Sequence, residues 1–180
     1  AAMHHRLPVA AQDVRIGLAQ AEMTGRFQIV PGQPTLILDV AHNPHSVAAL
    51  VANLDAMGFY PATHAVFGAM ADKDLSSMLQ RLHPLIDHWY FTDLPTPRAA
   101  SAATLQQMWQ TASASQPAKL APATSQTFAN PAQALQAALA AANPADRIAV
   151  FGSFYTVGAV LEEGLPRLAA PHLDPDARTA

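Results

Sequence analysis

The 180-residue chain contains no cysteine. That excludes disulfides, cysteine-bearing zinc sites and thiol nucleophiles. It agrees with a cytoplasmic protein, which is the location expected. No apolar run is long enough to span a bilayer, and no charged-then-apolar segment of the secretory kind opens the chain. Charge is sparse: ten Lys and Arg against thirteen Asp and Glu leave a net charge of −3, and the basic residues are scattered. Nucleic-acid-binding domains ordinarily show a basic face, so neither nucleic acid nor membrane is expected as a partner. Two glycine signatures are also missing, the G-x-x-x-x-G-K-[ST] phosphate loop and the G-x-G-x-x-G dinucleotide fingerprint. No repeat of solenoid length is visible.

What is present is an alternation of strand and helix patterns. Half of the chain is apolar (51%), enough for a domain with its own core. Residues Phe27–Val30 and Thr35–Asp39 read as strands joined by the turn "PGQP", so they should pair antiparallel. A helix follows over about Pro44–Met57, with Val47, Leu50, Val51, Leu54 and Met57 on one side. Strand Ala65–Phe67 precedes a helix carrying Leu75, Met78, Leu79 and Leu82, for which Asp72 is the expected N-cap. Strand His88–Thr92 comes next, then a helix after Ser101 with Leu105, Met108, Trp109 and Ala112. The stretch Ser113–Thr127 is rich in Ser, Pro, Ala and Gln and reads as a long surface loop. Asn130–Pro131 opens a helix through Ala142, strand Arg147–Phe151 ends at "GSF", and a last helix runs from about Thr156 to Glu163. Ahead of all this, Ala11, Val14, Leu18 and Ala21 share a helical face.

Such alternation predicts an α/β fold of Rossmann-like type. The sheet is open and mostly parallel, with helices on both faces and one antiparallel strand. Ligands of such sheets sit beyond the carboxyl ends of the strands. Here those ends are Asp39–His42, Gly68–Met70, Thr92–Asp93 and Gly152–Ser153, where the polar and glycine residues gather.

The stretch "LILDVAHNPHSV" (Leu36–Val47) passes from strand to helix with an acid and two histidines in between. Asn43–Pro44 is a good helix start: Asn accepts a first-turn N–H, and Pro at N1 loses nothing by lacking one. The helix end could receive an anion, or the pair could simply cap, as Asn130–Pro131 does elsewhere. Asp39 at the strand end could accept from ribose hydroxyls, or be a solvated loop acid. His42 could donate to an anionic or developing-charge group, or be a turn residue. Arg26 could flank a nucleotide beside Asp39, or lie free on the surface. A metal site on Asp39, His42 and His45 is conceivable by residue type, but the spacing fits no standard signature. "GSFYTVG" (Gly152–Gly158) and "GAMADKD" (Gly68–Asp74) each read equally well as a binding turn or a plain capped turn. Trp89, Tyr90 and Trp109 read as core. The residues alone stop at an α/β domain with a polar edge.

Several separated motifs taken together are more specific. "GRFQ" (Gly25–Gln28), "LDVAHNPHS" (Leu38–Ser46), "GAMADKD", "HWYFTDLPTPRAAS" (His88–Ser101) and "FGSFYTVG" (Phe151–Gly158) occur in that order. The chain thereby resembles the carboxy-terminal domain of the bacterial folylpolyglutamate synthase/dihydrofolate synthase family, within the Mur ligase superfamily. The resemblance covers roughly Val9 to Glu163.

It implies an ATP-dependent ligase that phosphorylates a carboxylate and lets the amine of L-glutamate attack the acyl phosphate. The acceptors would be dihydropteroate or folates. By the family pattern, Arg26 and Asp39 would contact ATP, with Asp39 at the ribose. His42 would serve catalysis and glutamate binding, and Ser153 would contact glutamate. Asn43, Lys73 and Asp74 would stand at the site edge. The phosphate loop and the Mg²⁺ ligands would belong to an amino-terminal domain, so this chain would hold no metal itself and would be inactive alone. Residues 1–22 would then be an interdomain connection, 23–166 the domain, and 167–180 a loose tail. Two rival readings are a cell-wall Mur peptide ligase domain and a non-catalytic α/β binding module.

Overall fold

The computed structural model describes residues 10–14, 24–115, 122–162 and 164. The elements in chain order are strands β1 (Gln28–Val30) and β2 (Thr35–Leu38), helix α1 (Pro44–Ala56), β3 (Thr63–Phe67), α2 (Leu75–Leu82), β4 (His88–Thr92), α3 (Ala102–Ala114), β5 (Thr124–Phe128), α4 (Pro131–Ala141), β6 (Arg147–Phe151) and α5 (Phe154–Glu162). Residues 11–14 are helical. The rest of the connection expected over 1–22, and the tail expected over 167–180, lie outside the described residues.

The six strands form one sheet in the order β1-β2-β6-β3-β4-β5. The short turn makes β1 antiparallel to β2, and every other pairing is parallel. The strands β3 and β6 at the centre of the sheet are buried at every position. They have helices over both faces, so their sequences run apolar without alternating. Helices α1, α2 and α3 cover one face through Val47, Leu50, Leu54, Met78, Leu79, Leu105 and Trp109, packed on Ile37, Phe67, Trp89 and Phe151. Helices α4 and α5 cover the other through Ala134, Ala138, Val157 and Val160, on Leu36, Leu38, Val66 and Val150.

Two expectations need correction. The N-cap of α2 is Asp74, not Asp72: the Asp74 side chain accepts the Ser77 N–H, and Asp72 lies in the preceding turn. The stretch expected as a surface loop to Thr127 instead contains β5, paired to β4 from His88↔Thr124 to Thr92↔Phe128. Most of β5 is exposed, as befits an edge strand, and it therefore lacks the apolar alternation that marks a strand in sequence. At the caps expected from Asn–Pro, both helices behave as read. Asn43 forms a reciprocal box with Ser46, and Asn130 accepts the Gln133 N–H.

The strand order places a crevice. β6 is inserted between β2 and β3, and the chain leaves it towards α5 on one face. The chains leaving β2 and β3 turn to α1 and α2 on the other. Where neighbouring strands send their connections to opposite faces, a gap opens beyond the carboxyl ends.

Candidate functional site

A cleft of about 240 Å³ lies at that gap, lined by His42, Met70, Lys73, Thr96, Arg98 and the run Gly152–Tyr155. Each comes from a segment leaving the carboxyl end of β2, β3, β4 or β6. The close approach of the β3 and β6 ends depends on glycine. Gly152 has φ 109°, and a Cβ there would meet the Gly68 carbonyl at 2.5 Å and the Phe67 ring at 2.7 Å.

The turn carrying His42 is tied down by its own neighbours. Asp39 Oδ1 accepts the Ala41 N–H at 2.7 Å, and Oδ2 accepts the Phe27 N–H at 2.9 Å. Burial pushes the Asp39 carboxyl above its ordinary value, opposed by these two N–H bonds and the charge of Arg26. The His42 N–H donates to Ser46 Oγ at 3.1 Å, and His42 Nδ1 stands 2.8 Å from the Val40 carbonyl. A carbonyl oxygen only accepts, so Nδ1 carries the hydrogen. A neutral His42 therefore has an acceptor lone pair at Nε2 and donates there only as an imidazolium.

On the opposite wall, Ser153 is 5% exposed. Its Oγ accepts the Tyr155 N–H at 3.1 Å, which leaves its hydroxyl hydrogen for another partner. Phe154 and Tyr155 are exposed beside it. The Arg26 guanidinium lies 6.0 Å from the centre of the Phe154 ring, and the centre of the His42 ring lies 6.3 Å from it. Lys73 Nζ and Arg98 Nη2 both reach Asp72 Oδ2, at 3.6 and 3.2 Å.

Of the residues singled out from sequence, His42, Lys73 and Ser153 come together in the cleft, and Arg26 joins at its margin through Phe154. Asp39 is not among the lining residues and ties the turn that leads to His42 through the Ala41 N–H. Asn43 and Asp74 are helix caps and do not line the cleft. Among the described residues, no three His, Asp or Glu side chains are grouped to hold a metal ion. No helix among them is long and apolar enough to cross a membrane. Met70, Phe154 and Tyr155 fall within the strand end and turn expected at this edge, but neither they nor Thr96 and Arg98 were expected singly as site residues. Arg98 does fall inside the "LPTPRAAS" motif, but nothing local marks it as a cleft residue.

Residues 25–154 match the family model of the Mur ligase glutamate ligase domain. The chain belongs to the Mur ligase family. This Mur ligase domain is 36% identical over 156 residues to the dihydrofolate synthase/folylpolyglutamate synthase of Escherichia coli (strain K12), covering 87% of this chain and 34% of that protein. Its fold matches E. coli FolC in complex with DHPP and ADP with a TM-score of 0.78 at 36% identity, over 91% of this chain and 36% of that one. It also matches a bifunctional folylpolyglutamate synthase/dihydrofolate synthase with Mn, AMPPNP and L-glutamate bound, with a TM-score of 0.74 at 35% identity, over 90% and 36% of the two chains. The Mur ligase domain thus spans about a third of the length of these relatives.

Proposed function

We propose that this domain is the glutamate-binding half of an ATP-dependent ligase that joins L-glutamate to dihydropteroate or to folates. In this reading it works closed against an amino-terminal domain that carries the phosphate loop and the Mg²⁺ ligands. The observation that carries it is the cleft. Lys73, Arg98, His42 and the Ser153 hydroxyl line it; among the described residues no carboxylate does, Asp72 pairing with both cations without being one of the lining residues. Such a lining suits an anionic amino acid.

In this reading each residue has a role that its position supports. Lys73 supplies charge for a substrate carboxylate, and the free Ser153 hydrogen supplies a directed bond to it. In its neutral form, with Nδ1 held by Val40, His42 would present Nε2 as an acceptor for the glutamate ammonium. That group must shed a proton before or as it attacks an activated carboxyl. Arg26 lies at the margin, its guanidinium 6.0 Å from the Phe154 ring, where it suits the adenosine end of ATP. Each Asp39 oxygen has accepted one backbone hydrogen and keeps a lone pair for a ribose hydroxyl. Chemistry of this type rests mainly on positioning and charge, and closure of two domains would exclude water.

The test uses the full-length enzyme. Phosphate release from ATP should require glutamate together with dihydropteroate or a folate. Release driven by a cell-wall peptide precursor, and not by either of these acceptors, would favour the rival ligase. The described residues offer ATP only the contacts of Arg26 and Asp39. Calorimetry of the separate chain should therefore find an ATP Kd no tighter than about 1 mM, or ~−4 kcal/mol.

A further inference from the structure

Between Arg98 and Asp146 the sequence holds a single charged residue, Lys119, which lies outside the described residues. Helix α3, strand β5 and helix α4 all fall in this stretch, and none of them carries a charge. Both helices pack on β5, so the three elements form one flank of the domain, where β5 ends the sheet. The exposed side chains there are amides and hydroxyls: Gln107 and Thr111 on α3, Thr124, Gln126 and Thr127 on β5, and Gln133 on α4. Protein surfaces ordinarily mix in about 25–35% charged residues. Depletion of charge is what sets the core of an interface apart.

The same flank has an open strand edge. β5 pairs with β4 alone. The Thr124 N–H donates to the Asp87 carbonyl at 2.9 Å, and the Phe128 carbonyl accepts the Asp93 N–H at 3.0 Å. Backbone groups alternate in direction along a strand, so Ser125 and Thr127 point theirs away from β4. The Ser125 carbonyl takes the Gln106 side-chain N–H at 3.4 Å and keeps a second lone pair. Natural sheets guard such edges with Lys, Pro, a bulge or brevity. The opposite edge, β1, is three residues long and runs into Pro31. β5 has five residues in unbroken register and none of these guards.

From these two observations we propose that the β5 edge is a self-association surface, at which a second copy of the chain adds its own β5 antiparallel about a two-fold axis. Centred on Gln126, the pairing sets Ser125 opposite the partner's Thr127 and Thr127 opposite the partner's Ser125. Each such pair exchanges both of its backbone hydrogen bonds. Gln126 meets the partner's Gln126 across the axis, and an amide both gives and takes a hydrogen bond. A second copy fits this flank better than a charged partner. A charged surface would bury its ions here without a counter-ion, whereas an uncharged edge that meets itself buries none. The same patch on both subunits closes the assembly at two. A five-residue strand alone falls short of the roughly 1,200 Å² that a stable interface buries, so the outer sides of α3 and α4 join in, and they are uncharged too. β5 lines no part of the cleft, so this pairing does not depend on what the cleft binds.

The experiment follows the full-length protein by sedimentation over a concentration series, at low and at high salt. The mass should double with concentration and be unmoved by salt, because this edge has no charge to screen. Gln126→Lys sets two ammonium groups face to face across the axis and should weaken association roughly tenfold or more. Thr127→Pro removes an outward N–H and should do the same. Neither change removes a bond to β4, and an unchanged Tm for Gln126→Lys would confirm that the fold is intact. Hydrogen exchange reads the edge itself: the Ser125 and Thr127 N–H groups should be protected at high concentration and lose that protection on dilution. A protein that stays monomeric at every concentration overturns the proposal. Protection of those two groups in such a monomer would assign the edge to another segment of the full-length protein, which overturns it equally. A dimer that ignores Gln126→Lys, or that salt dissolves, would put the interface elsewhere and overturn it as well.

Discussion

Asp39 Oδ2 accepts the Phe27 N–H at 2.9 Å from twelve residues away, and Phe27 is the one non-glycine among the described residues with positive φ, 44°. A side chain in that region costs on the order of 1–2 kcal/mol, so the contact holds a strained corner where β1 begins. Asp39→Ala would leave the Phe27 and Ala41 N–H groups without their acceptor. We expect a loss of about 2 kcal/mol in urea unfolding, in addition to any loss of ATP use. Asp39→Asn, which keeps one carbonyl oxygen, should lose less. Wild-type unfolding midpoints in both variants would show that the carboxylate is not a tie.

For His42, the activity and the stability should separate. His42→Ala removes the Nδ1 bond to Val40, worth about 1 kcal/mol, but also removes the acceptor facing the amine. Turnover of the full-length enzyme should fall ~100-fold or more. A turnover loss no larger than the stability change explains would make His42 a turn residue.

Gly152→Ala tests the packing beneath the cleft. The added Cβ meets the Gly68 carbonyl and the Phe67 ring at under 3 Å, at a φ of 109°. Strain and overpacking together should cost about 3 kcal/mol, seen as a lowered Tm and poor soluble yield. A variant as stable as wild type would mean that the β3 and β6 ends can part without penalty.

The far end of the sheet holds a titrating group that the cleft does not use. His64 is 2% exposed. Its Nδ1 lies 3.1 Å from the Tyr90 hydroxyl, its Nε2 lies 3.6 Å from Asp146 Oδ2, and its ring lies 4.6 Å from His88. Burial, then the charge of His88, holds His64 below its ordinary 6.5, against the pull of Asp146 and Asp87. The unfolded chain thus takes up this proton at a higher pH than the native one. The stability His64 contributes is present above pH 6.5 and drains away as pH falls towards the native pKa, by up to about 1.4 kcal/mol per unit. His64→Gln should be less stable than wild type at pH 7.5, and the two curves should converge on acidification. Parallel curves between pH 7.5 and 5 would remove His64 as the cause.

Local chemistry made much of the fold readable from the chain itself. His88–Thr92 and Arg147–Phe151 appear as strands at the bounds expected, because strands with neighbours on both sides carry short apolar runs, here Trp89–Phe91 and Ile148–Phe151. Asn43 and Asn130 cap as expected, because a cap is a bond between residues three apart. The alternation of elements was enough for a parallel sheet. By contrast, Thr124–Phe128 has no apolar signature, and only the hydrogen-bonding edge of β4 makes it a strand. The choice of Asp74 over Asp72 turned on one backbone N–H. At the site, the motifs bearing His42, Lys73 and Ser153 were visible, but their meeting was not. It follows from β6 entering between β2 and β3, a long-range pairing with no counterpart in neighbouring residues. Arg98 was hidden for the same reason: an exposed arginine becomes a cleft residue only when the Met70↔Ala99 bridge brings its loop beside Lys73. Bonds within a few residues are set by the chain's own order, whereas contacts across the sheet edge exist only once the core has fixed which strands lie side by side.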